Sequence, residues 1–297
     1  MFGYSNAGEA IPAQATPTLV PGLVSITSIA CGSDHCLALS ATGQVHAWGI
    51  HDENRLGRRV PPRHVAEAFK PHLVEIKAVK AIFSGFRHSF AVDAKDNVWA
   101  WGLNSYGQAG SNPGGAGSAA AVYLDRPRKV TALCGKGIKF MAGGASHSAA
   151  IAADGQCFLW GRVDVGQLGI DFTDAQLSDD SLIRRGELKN EPRICLQPTR
   201  IAVPGLENVV SVSCGTDHTV FVNEEGAAFS TGFSCQGQLG LLDKDGDPES
   251  EDVKVARQIR AKNTVLKWTG AGANFSVLGS LYQAPNPDTA PNGEAAN

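Results

Sequence analysis

The sequence predicts an all-β fold built from repeats, and three observations support this. Glycine accounts for 34 of the 297 residues, which exceeds the roughly 7% of an average protein. A Gly stands three residues before a His at four places, with spacings of 53, 59 and 71 residues between the histidines. Short stretches rich in branched and aromatic residues follow each His, as in β-strands. Hairpins repeated at this period favour a β-propeller.

Each repeat keeps one internal register. The Gly–His pairs are Gly32/His35, Gly85/His88, Gly144/His147 and Gly215/His218. Eight residues after each His comes a residue suited to the positive φ of a hairpin turn: Gly43, Asp96, Gly155 and Gly226. Five residues further on stand Trp48, Trp101, Trp160 and Thr231, each followed by Gly. The two strands of each repeat are expected to pair antiparallel, and the segments of variable length between repeats are expected to form loops.

A fifth repeat is partial, because the segment from Gly272 to Leu278 places Phe275 where the His stands elsewhere and then stops. The repeat units lie near residues 29–57, 83–110, 141–169, 212–240 and 269–279. Residues 1–282 are therefore expected to form one partial β-propeller. Residues 283–297, rich in Pro, Ala and Asn, are expected to be a disordered tail.

Composition and motifs disfavour several classes of protein. The net charge is −3, so nucleic-acid contact needs a local basic patch. No apolar run approaches ~18 residues, and residues 1–15 lack the basic and apolar regions of a secretory signal. The seven cysteines contain no CxxC pair, so we expect reduced core thiols in a cytosolic or nuclear protein.

No catalytic constellation emerges from the sequence. There is no Ser/His/Asp arrangement and no phosphate-binding GK[ST] segment. The repeated histidines are expected to hold hairpins rather than a metal ion, because equivalent positions in a propeller are spread around a circle. The sequence therefore predicts a protein that is not an enzyme, with no cofactor, no metal, no small-molecule substrate and no membrane contact.

The combination of GxxH, a hairpin, WG and a closing GQLG resembles the repeat of the regulator of chromosome condensation family, and it extends from Ile29 to Leu278. The basic stretch that begins with Arg55–Val60 and the ending TGAGANFSVLG are similar to the Ran exchange factors of that family. The resemblance implies a seven-bladed propeller in the nucleus that binds a Ran-type small GTPase through one face, accelerates release of its nucleotide, and docks on chromatin through histones and DNA. Against seven blades, this chain is predicted to be incomplete, with about four to five blades and without the N-terminal repeats.

The resemblance assigns candidate residues for contact with the GTPase. Asp34, Arg58 and His147 are expected to lie on the contact face, and Phe275 replaces a further His of that group. A wedge loop that presses against the GTPase is matched by Tyr4, Ser5, Asn6, Ala7 and Gly8. Without the resemblance, Asp34 is a turn acid, Arg58 is a rim charge and His147 is a half-buried structural residue.

A long loop of the family contacts an acidic patch on histones. The matching stretch from Arg55 to Lys80 contains seven basic and two acidic residues. Arg59 and Arg63 are the candidates for this contact, because the guanidinium group pairs well with clustered carboxylates. The alternative is an ordinary solvated loop.

Other functions stay open as alternatives to nucleotide exchange. The chain is otherwise a non-exchanging propeller that serves as a protein-interaction module, or a truncated inactive fragment. An ultraviolet-sensing relative is a third option, since the segment Gly85–Ser89 resembles a motif of such proteins. Phe86 stands where the sensing Trp is expected, which disfavours this option.

Overall fold

Four blades and one hairpin make up the described part of the chain. The computed structural model describes residues 18–113, 122–186, 191–243, 245–261 and 264–280. Within these ranges lie three four-stranded sheets, one five-stranded sheet and one two-stranded sheet. The prediction of an all-β, incomplete propeller of four to five blades is confirmed. The predicted wedge residues Tyr4–Gly8 and the predicted tail 283–297 lie outside the described residues.

The first two blades are four-stranded antiparallel meanders. The first contains, in hydrogen-bonded order, β1 (Ile26–Cys31), β2 (His35–Ser40), β3 (Val45–Gly49) and β4 (His72–Leu73). The second contains β5 (Val79–Ser84), β6 (His88–Asp93), β7 (Val98–Leu103) and β8 (Tyr123–Lys129). In both blades the Gly–His pair lies at the turn between the first two strands, and the predicted hairpin consists of the second and third strands.

The third blade has an additional strand at its outer edge. It contains β9 (Ile138–Gly143), β10 (His147–Ala152), β11 (Cys157–Arg162), β12 (Ile183–Arg185) and β13 (Pro192–Arg200), with β12 outside β13. The fourth blade contains β14 (Val209–Cys214), β15 (His218–Asn223), β16 (Ala228–Gly232) and β17 (Val253–Gln258), and the final hairpin contains β18 (Trp268–Ala271) and β19 (Ser276–Gly279). The described residues include the 3-10 helices Asp52–Asn54, Pro62–Phe69 and Thr131–Leu133, and the short helix α1 (Asp174–Leu177).

The segments of variable length contribute more than loops. Each of them supplies a strand on the outer side of its blade, β4, β8, β13 or β17, so these segments contain a strand as well as the expected loops. The outer strand pairs with the third strand of the repeat and gives its free backbone groups partners. A short strand meets this need at many segment lengths, which explains why length varies there.

The first strands of successive blades lie side by side around the axis. β1 contacts β5, β5 contacts β9, β9 contacts β14, and β14 contacts β18. The core lies between the blades, where Phe90, Trp101 and Trp160 are buried. The rings of Phe90 and Trp160 meet edge to face with centroids 6.0 Å apart, a favourable geometry for aromatic pairs.

The ring of each repeat His lies over the Gly three residues before it. At Gly85, a Cβ atom would lie 2.2 Å from Cε1 of His88, which is far inside van der Waals contact. The same clash would arise in the other repeats, and in the final hairpin the ring of Phe275 takes the place of the imidazole over Gly272. The Gly is therefore required by the ring above it.

Each repeat His also joins its blade to the next one. Its Nε2 lies within hydrogen-bonding distance of the hydroxyl that follows the His position of the next repeat, which is Phe275 in the final hairpin. The pairs are His35–Ser89 at 2.8 Å, His88–Ser148 at 2.8 Å, His147–Thr219 at 2.9 Å and His218–Ser276 at 3.0 Å. The Ser148 and Thr219 hydroxyls donate to the carbonyls of Gln108 and Gln167 at 2.8 and 2.6 Å. A hydroxyl has one proton to donate, so it accepts from an Nε2–H group of the neutral imidazole.

The tryptophans reinforce the same junctions. Trp101 Nε1 donates to the Arg55 carbonyl at 3.1 Å, and Trp160 Nε1 donates to the Gln108 carbonyl at 2.9 Å. The acceptors belong in each case to the preceding blade. The Gly, His and Trp positions of the repeat thus take part in the contacts between blades, whereas the sequence predicted that each His is half-buried and holds its own hairpin.

Burial keeps these histidines neutral. Desolvation lowers the pKa of His35 to about 4 and the pKa of His88 and His147 to about 3. Among the described residues, the Nδ1 atoms of these rings have no hydrogen-bond partner, so protonation would bury an unpaired donor. In the unfolded chain the pKa returns to about 6.5.

We expect the free energy of unfolding to decrease as the pH falls below about 6.5. Below this pH the histidines of the unfolded chain bind protons, whereas the buried histidines of the folded chain do not. The free energy of unfolding at pH 5 is therefore lower by about 2 kcal/mol for each buried His. Urea unfolding at pH 7.5 and pH 5 measures this difference. His88→Phe places a Phe over the Gly, as Phe275 does in the final hairpin. This substitution is expected to reduce the difference between the two pH values by the contribution of one histidine. The exposed His64→Gln is the control, and an equal effect of the two substitutions would contradict the explanation.

Candidate partner-binding face

One end of the blades gathers charged side chains. We call it the upper face, and define it by the turns between the first and second strands of each blade: residues 32–35, 85–88, 144–147, 215–218 and 272–275. The chain leaves the third strand of each blade at the same end. The residues of these two sets of segments come from distant parts of the sequence and can form one surface.

Arg55 is the centre of a charge network on the upper face. Its Nη1 lies 3.0 Å from Asp34 Oδ2, its Nη2 lies 2.6 Å from Glu53 Oε2, and its Nε donates to the Asp52 carbonyl at 3.0 Å. Its side chain is only 5% exposed, whereas that of Asp34 is 45% exposed. Arg87 of the second blade extends the network to Glu53 at 3.0 Å. A buried cation therefore fixes an exposed carboxylate and links two blades.

A comparison of the repeats reveals a sequence signal for this network. Arg55 occupies the repeat position that is Gln108, Gln167 and Gln238 in the later blades. Those glutamines cap their own turns, as Gln108 does by accepting from the Tyr106 N–H at 2.8 Å. An Arg at this position departs from the repeat. Judged by its charge alone, Arg55 is simply the first residue of the basic stretch that follows.

A second charged cluster lies further around the upper face. Arg162 pairs with Asp164 at 2.7 Å and with Asp217 at 3.1 Å. Its guanidinium lies 5.5 Å from the centre of the Tyr106 ring, and that of Arg193 lies over the same ring at 5.5 Å. Partial burial raises the pKa of Asp217, and Arg162 opposes this shift. The cluster joins the second, third and fourth blades.

The basic stretch after Arg55 forms a 3-10 helix and a short outer strand. Glu67 is paired with Lys70 at 2.6 Å and with His72 at 3.1 Å, and Glu75 is paired with Arg126 at 3.2 Å. Arg59 and Arg63 are exposed, and neither has an ion pair or hydrogen bond with the residues that the structure describes. Both of the stretch's acids are thus engaged elsewhere, which leaves these two arginines open to an acidic partner.

The described residues show no candidate metal centre, since no group of three or more His, Cys, Asp or Glu side chains converges there. Among the same residues, no helix is long and apolar enough to cross a membrane.

The repeats agree with the comparison with known families. The family model of the RCC1-like domain matches residues 1–278. The chain belongs to this family. Its repeats are RCC1-like repeats, as the resemblance in the sequence implied.

Several relatives show how far the similarity of this RCC1-like chain extends. It is 31% identical over 283 residues to the guanine nucleotide exchange factor SRM1 of Saccharomyces cerevisiae, covering 92% of this chain and 55% of SRM1. It is 35% identical over 293 residues to the ultraviolet-B receptor UVR8 of Arabidopsis thaliana, covering 95% of this chain and 57% of UVR8. The chain spans about half the length of the curated relatives it matches.

A solved structure gives the same result for the fold. The crystal structure of Prp20p from Saccharomyces cerevisiae, reported with its binding properties to Gsp1p and histones, matches with a TM-score of 0.82 and 28% identity. The match covers 95% of this chain and 62% of Prp20p. Thus the four blades and the hairpin have the arrangement of an RCC1-like propeller over most of the chain.

The RCC1-like fold distributes the predicted contact residues unevenly. Asp34 lies on the upper face. Arg58 is half-buried, and its Nη2 donates to the Glu67 carbonyl at 3.0 Å, so it supports the 3-10 helix Pro62–Phe69. His147 has no exposed surface, because it forms the junction with Thr219. Complete burial is at odds with direct contact with a partner, and we assign His147 the structural role of the other repeat histidines.

We expect Arg55→Ala to lower the free energy of unfolding by about 2 kcal/mol, because it removes the hydrogen bonds of a nearly buried guanidinium to Asp34, Glu53 and the Asp52 carbonyl. Arg87→Ala removes the exposed partner of Glu53 and is expected to cost less than about 1 kcal/mol. Urea unfolding of both variants measures the difference. Equal losses would show that Arg55 is not the centre of the network.

Proposed function

We propose that this RCC1-like chain is a guanine-nucleotide exchange factor for a Ran-type small GTPase. The observation that carries the proposal is the similarity over nearly the whole chain to SRM1, named as a guanine nucleotide exchange factor, and to the structure of Prp20p, reported with its binding to Gsp1p. Because the chain spans about half the length of such relatives, the exchange activity belongs to the proposal and not to the family assignment.

The proposed mechanism is differential binding. The upper face offers Asp34 as a carboxylate whose position is set by the buried Arg55. A preset carboxylate binds a basic surface without losing further side-chain freedom. If the face binds the nucleotide-free GTPase more tightly than the loaded form, the nucleotide is released by a shift in population. This activity requires no covalent chemistry, so the protein is a regulator of a GTPase and not itself an enzyme.

The proposal retains the wedge residues Tyr4–Gly8 as a second contact with the GTPase. It also places the protein in the nucleus on chromatin, with Arg59 and Arg63 directed to histones. The exposure of these two arginines, and their lack of an ion pair within the described part of the chain, support this part of the proposal.

A single kinetic experiment tests the exchange activity. We expect the chain to accelerate release of a fluorescent GDP analogue from a Ran-type GTPase, and Asp34→Asn to slow this release about tenfold by removing one charge-assisted contact. Asp154→Asn is the matched control, because Asp154 lies in a turn between second and third strands, at the opposite end of the blades. Arg58→Ala tests the residue that supports the adjacent loop, with the exposed Arg200→Ala as its control.

The same experiment distinguishes nucleotide exchange from the alternative function of a non-exchanging interaction module. One of the relatives is an ultraviolet-B receptor that is 35% identical to this chain, so proteins this similar can have other functions. A non-exchanging interaction module would capture the GTPase and leave the rate of nucleotide release unchanged. Capture without accelerated release, or the absence of both, would contradict the proposed exchange activity of this chain.

We expect the double substitution Arg59→Glu and Arg63→Glu to weaken binding to purified core histones at least tenfold, because both cations are exposed and neither is paired with another described residue. Fluorescence anisotropy at several salt concentrations measures the affinity and its salt dependence. The control is Arg128→Glu with Arg200→Glu, an equal change of charge on other exposed strands. Equal weakening by both double variants would indicate a general charge effect and not a histone contact at this loop.

A further inference from the structure

The hairpin of the first blade holds two thiols in direct contact. Cys31 at the end of β1 is the cross-strand partner of Cys36 in β2. Their sulfur atoms lie 3.5 Å apart, and both cysteines are free. The sequence predicted reduced core thiols, but Cys31 is exposed and Cys36 is only partly buried. Within the part of the chain that the structure describes, this pair is therefore accessible from solution.

The register suits a covalent bond between the two sulfur atoms. The Gly32 N–H donates to the His35 carbonyl at 2.9 Å and closes the hairpin. The next pair along an antiparallel ladder is then a non-hydrogen-bonded pair, in which the Cα atoms lie about 4.5 Å apart and the side chains are closest. Disulfides span Cα distances of about 4.4 to 6.8 Å. The hairpin can therefore accept a disulfide without a change of register.

The other described hairpins lack this pairing. The equivalent cross-strand pairs are Ser84/Ser89, Gly143/Ser148, Cys214/Thr219 and Ala271/Ser276. In those hairpins the second residue is the hydroxyl that meets the His of the preceding blade. Cys36 takes that position in the first described blade, and Cys31 stands opposite it. The first hairpin thus departs from the repeat at Cys36, and among the described hairpins it alone places a second Cys opposite that position.

We propose that Cys31 and Cys36 are a redox modification site that forms a disulfide when the protein meets a peroxide. The Cys31 thiolate attacks the O–O bond, which yields a sulfenic acid on Cys31 and, after protonation of the leaving oxygen, one water or alcohol. The Cys36 thiol then attacks the sulfenic sulfur, forms the S–S bond and releases a water molecule. The two thiols lose two electrons and two protons in total, and the peroxide is reduced by two electrons.

The electrostatics of the pair favour Cys31 as the attacking group. The hydrogen bond between the two sulfur atoms lowers the pKa of Cys31 to about 6, which favours the thiolate at this position. The same contact raises the pKa of Cys36. By contrast, burial raises the pKa of Cys195 to about 11 and that of Cys214 to about 12. Because the thiolate is the reactive form, oxidation is directed to the first hairpin.

Mass spectrometry of the full chain tests the site. The first Lys or Arg of the sequence is Arg55, so trypsin releases one peptide that contains Cys31 and Cys36 and no other cysteine. After treatment with hydrogen peroxide and then iodoacetamide, we expect this peptide to carry no label and to be lighter by two hydrogen atoms than the unlabelled reduced peptide. Reduction with dithiothreitol before labelling is expected to restore two labels.

Three variants make the result specific. Cys31→Ser and Cys36→Ser are each expected to abolish the loss of two hydrogen atoms, whereas the exposed Cys235→Ser is expected to retain it in the first peptide. Two labels on the wild-type peptide after peroxide would overturn the proposal. So would a sulfinic acid on Cys31 with a label on Cys36, because Cys36 would then not be the resolving thiol.

Discussion

The hydrogen bond from each repeat His to a hydroxyl of the next blade is the interaction on which the rest of this structure depends. It fixes three positions at once. The ring excludes a side chain at the Gly beneath it, where a Cβ at Gly85 would lie 2.2 Å from His88 Cε1. The hydroxyl must follow the His position of the next repeat. It must also donate to a carbonyl of the preceding blade, as Ser148 donates to the Gln108 carbonyl. The spacing within a repeat is therefore constrained, whereas the segments between repeats are not.

The same constraint explains what could be predicted from the sequence. The hairpins and their turns were predicted, and the turn residues Gly43, Asp96, Gly155 and Gly226 all have the positive φ that their residue types indicated. The outer strands were not predicted, because β4 and its counterparts form wherever a short segment can pair with the third strand. The charge network of Arg55 was missed because it depends on tertiary proximity to Asp34. The burial of His147 follows from the junction with the next blade, which a contact assignment by resemblance does not consider.

At each end of the described arc, the junction between blades lacks the contacts of a neighbouring described blade. Trp48 is 4% exposed, yet its Nε1 has no hydrogen-bond partner among the described residues. Trp101 and Trp160 donate the same group to a carbonyl of the preceding blade. At the other end, Phe275 stands at the His position and is 60% exposed. Each interior blade therefore satisfies the polar groups of its neighbour, and stability in this fold is shared between blades and not contained within one.

Positions engaged in such junctions have little freedom to change, so chemistry specific to this chain is found where the repeat is broken. Arg55 replaces the turn-capping glutamine of the later blades, and its guanidinium reaches Asp34 and Glu53. Cys36 replaces the junction hydroxyl, and it meets a second thiol. Both replacements lie in the first described blade, at or next to the turn that carries Asp34. A regular scaffold thus positions a few irregular residues, and comparing each repeat position across the blades identifies those residues more directly than charge or residue type alone.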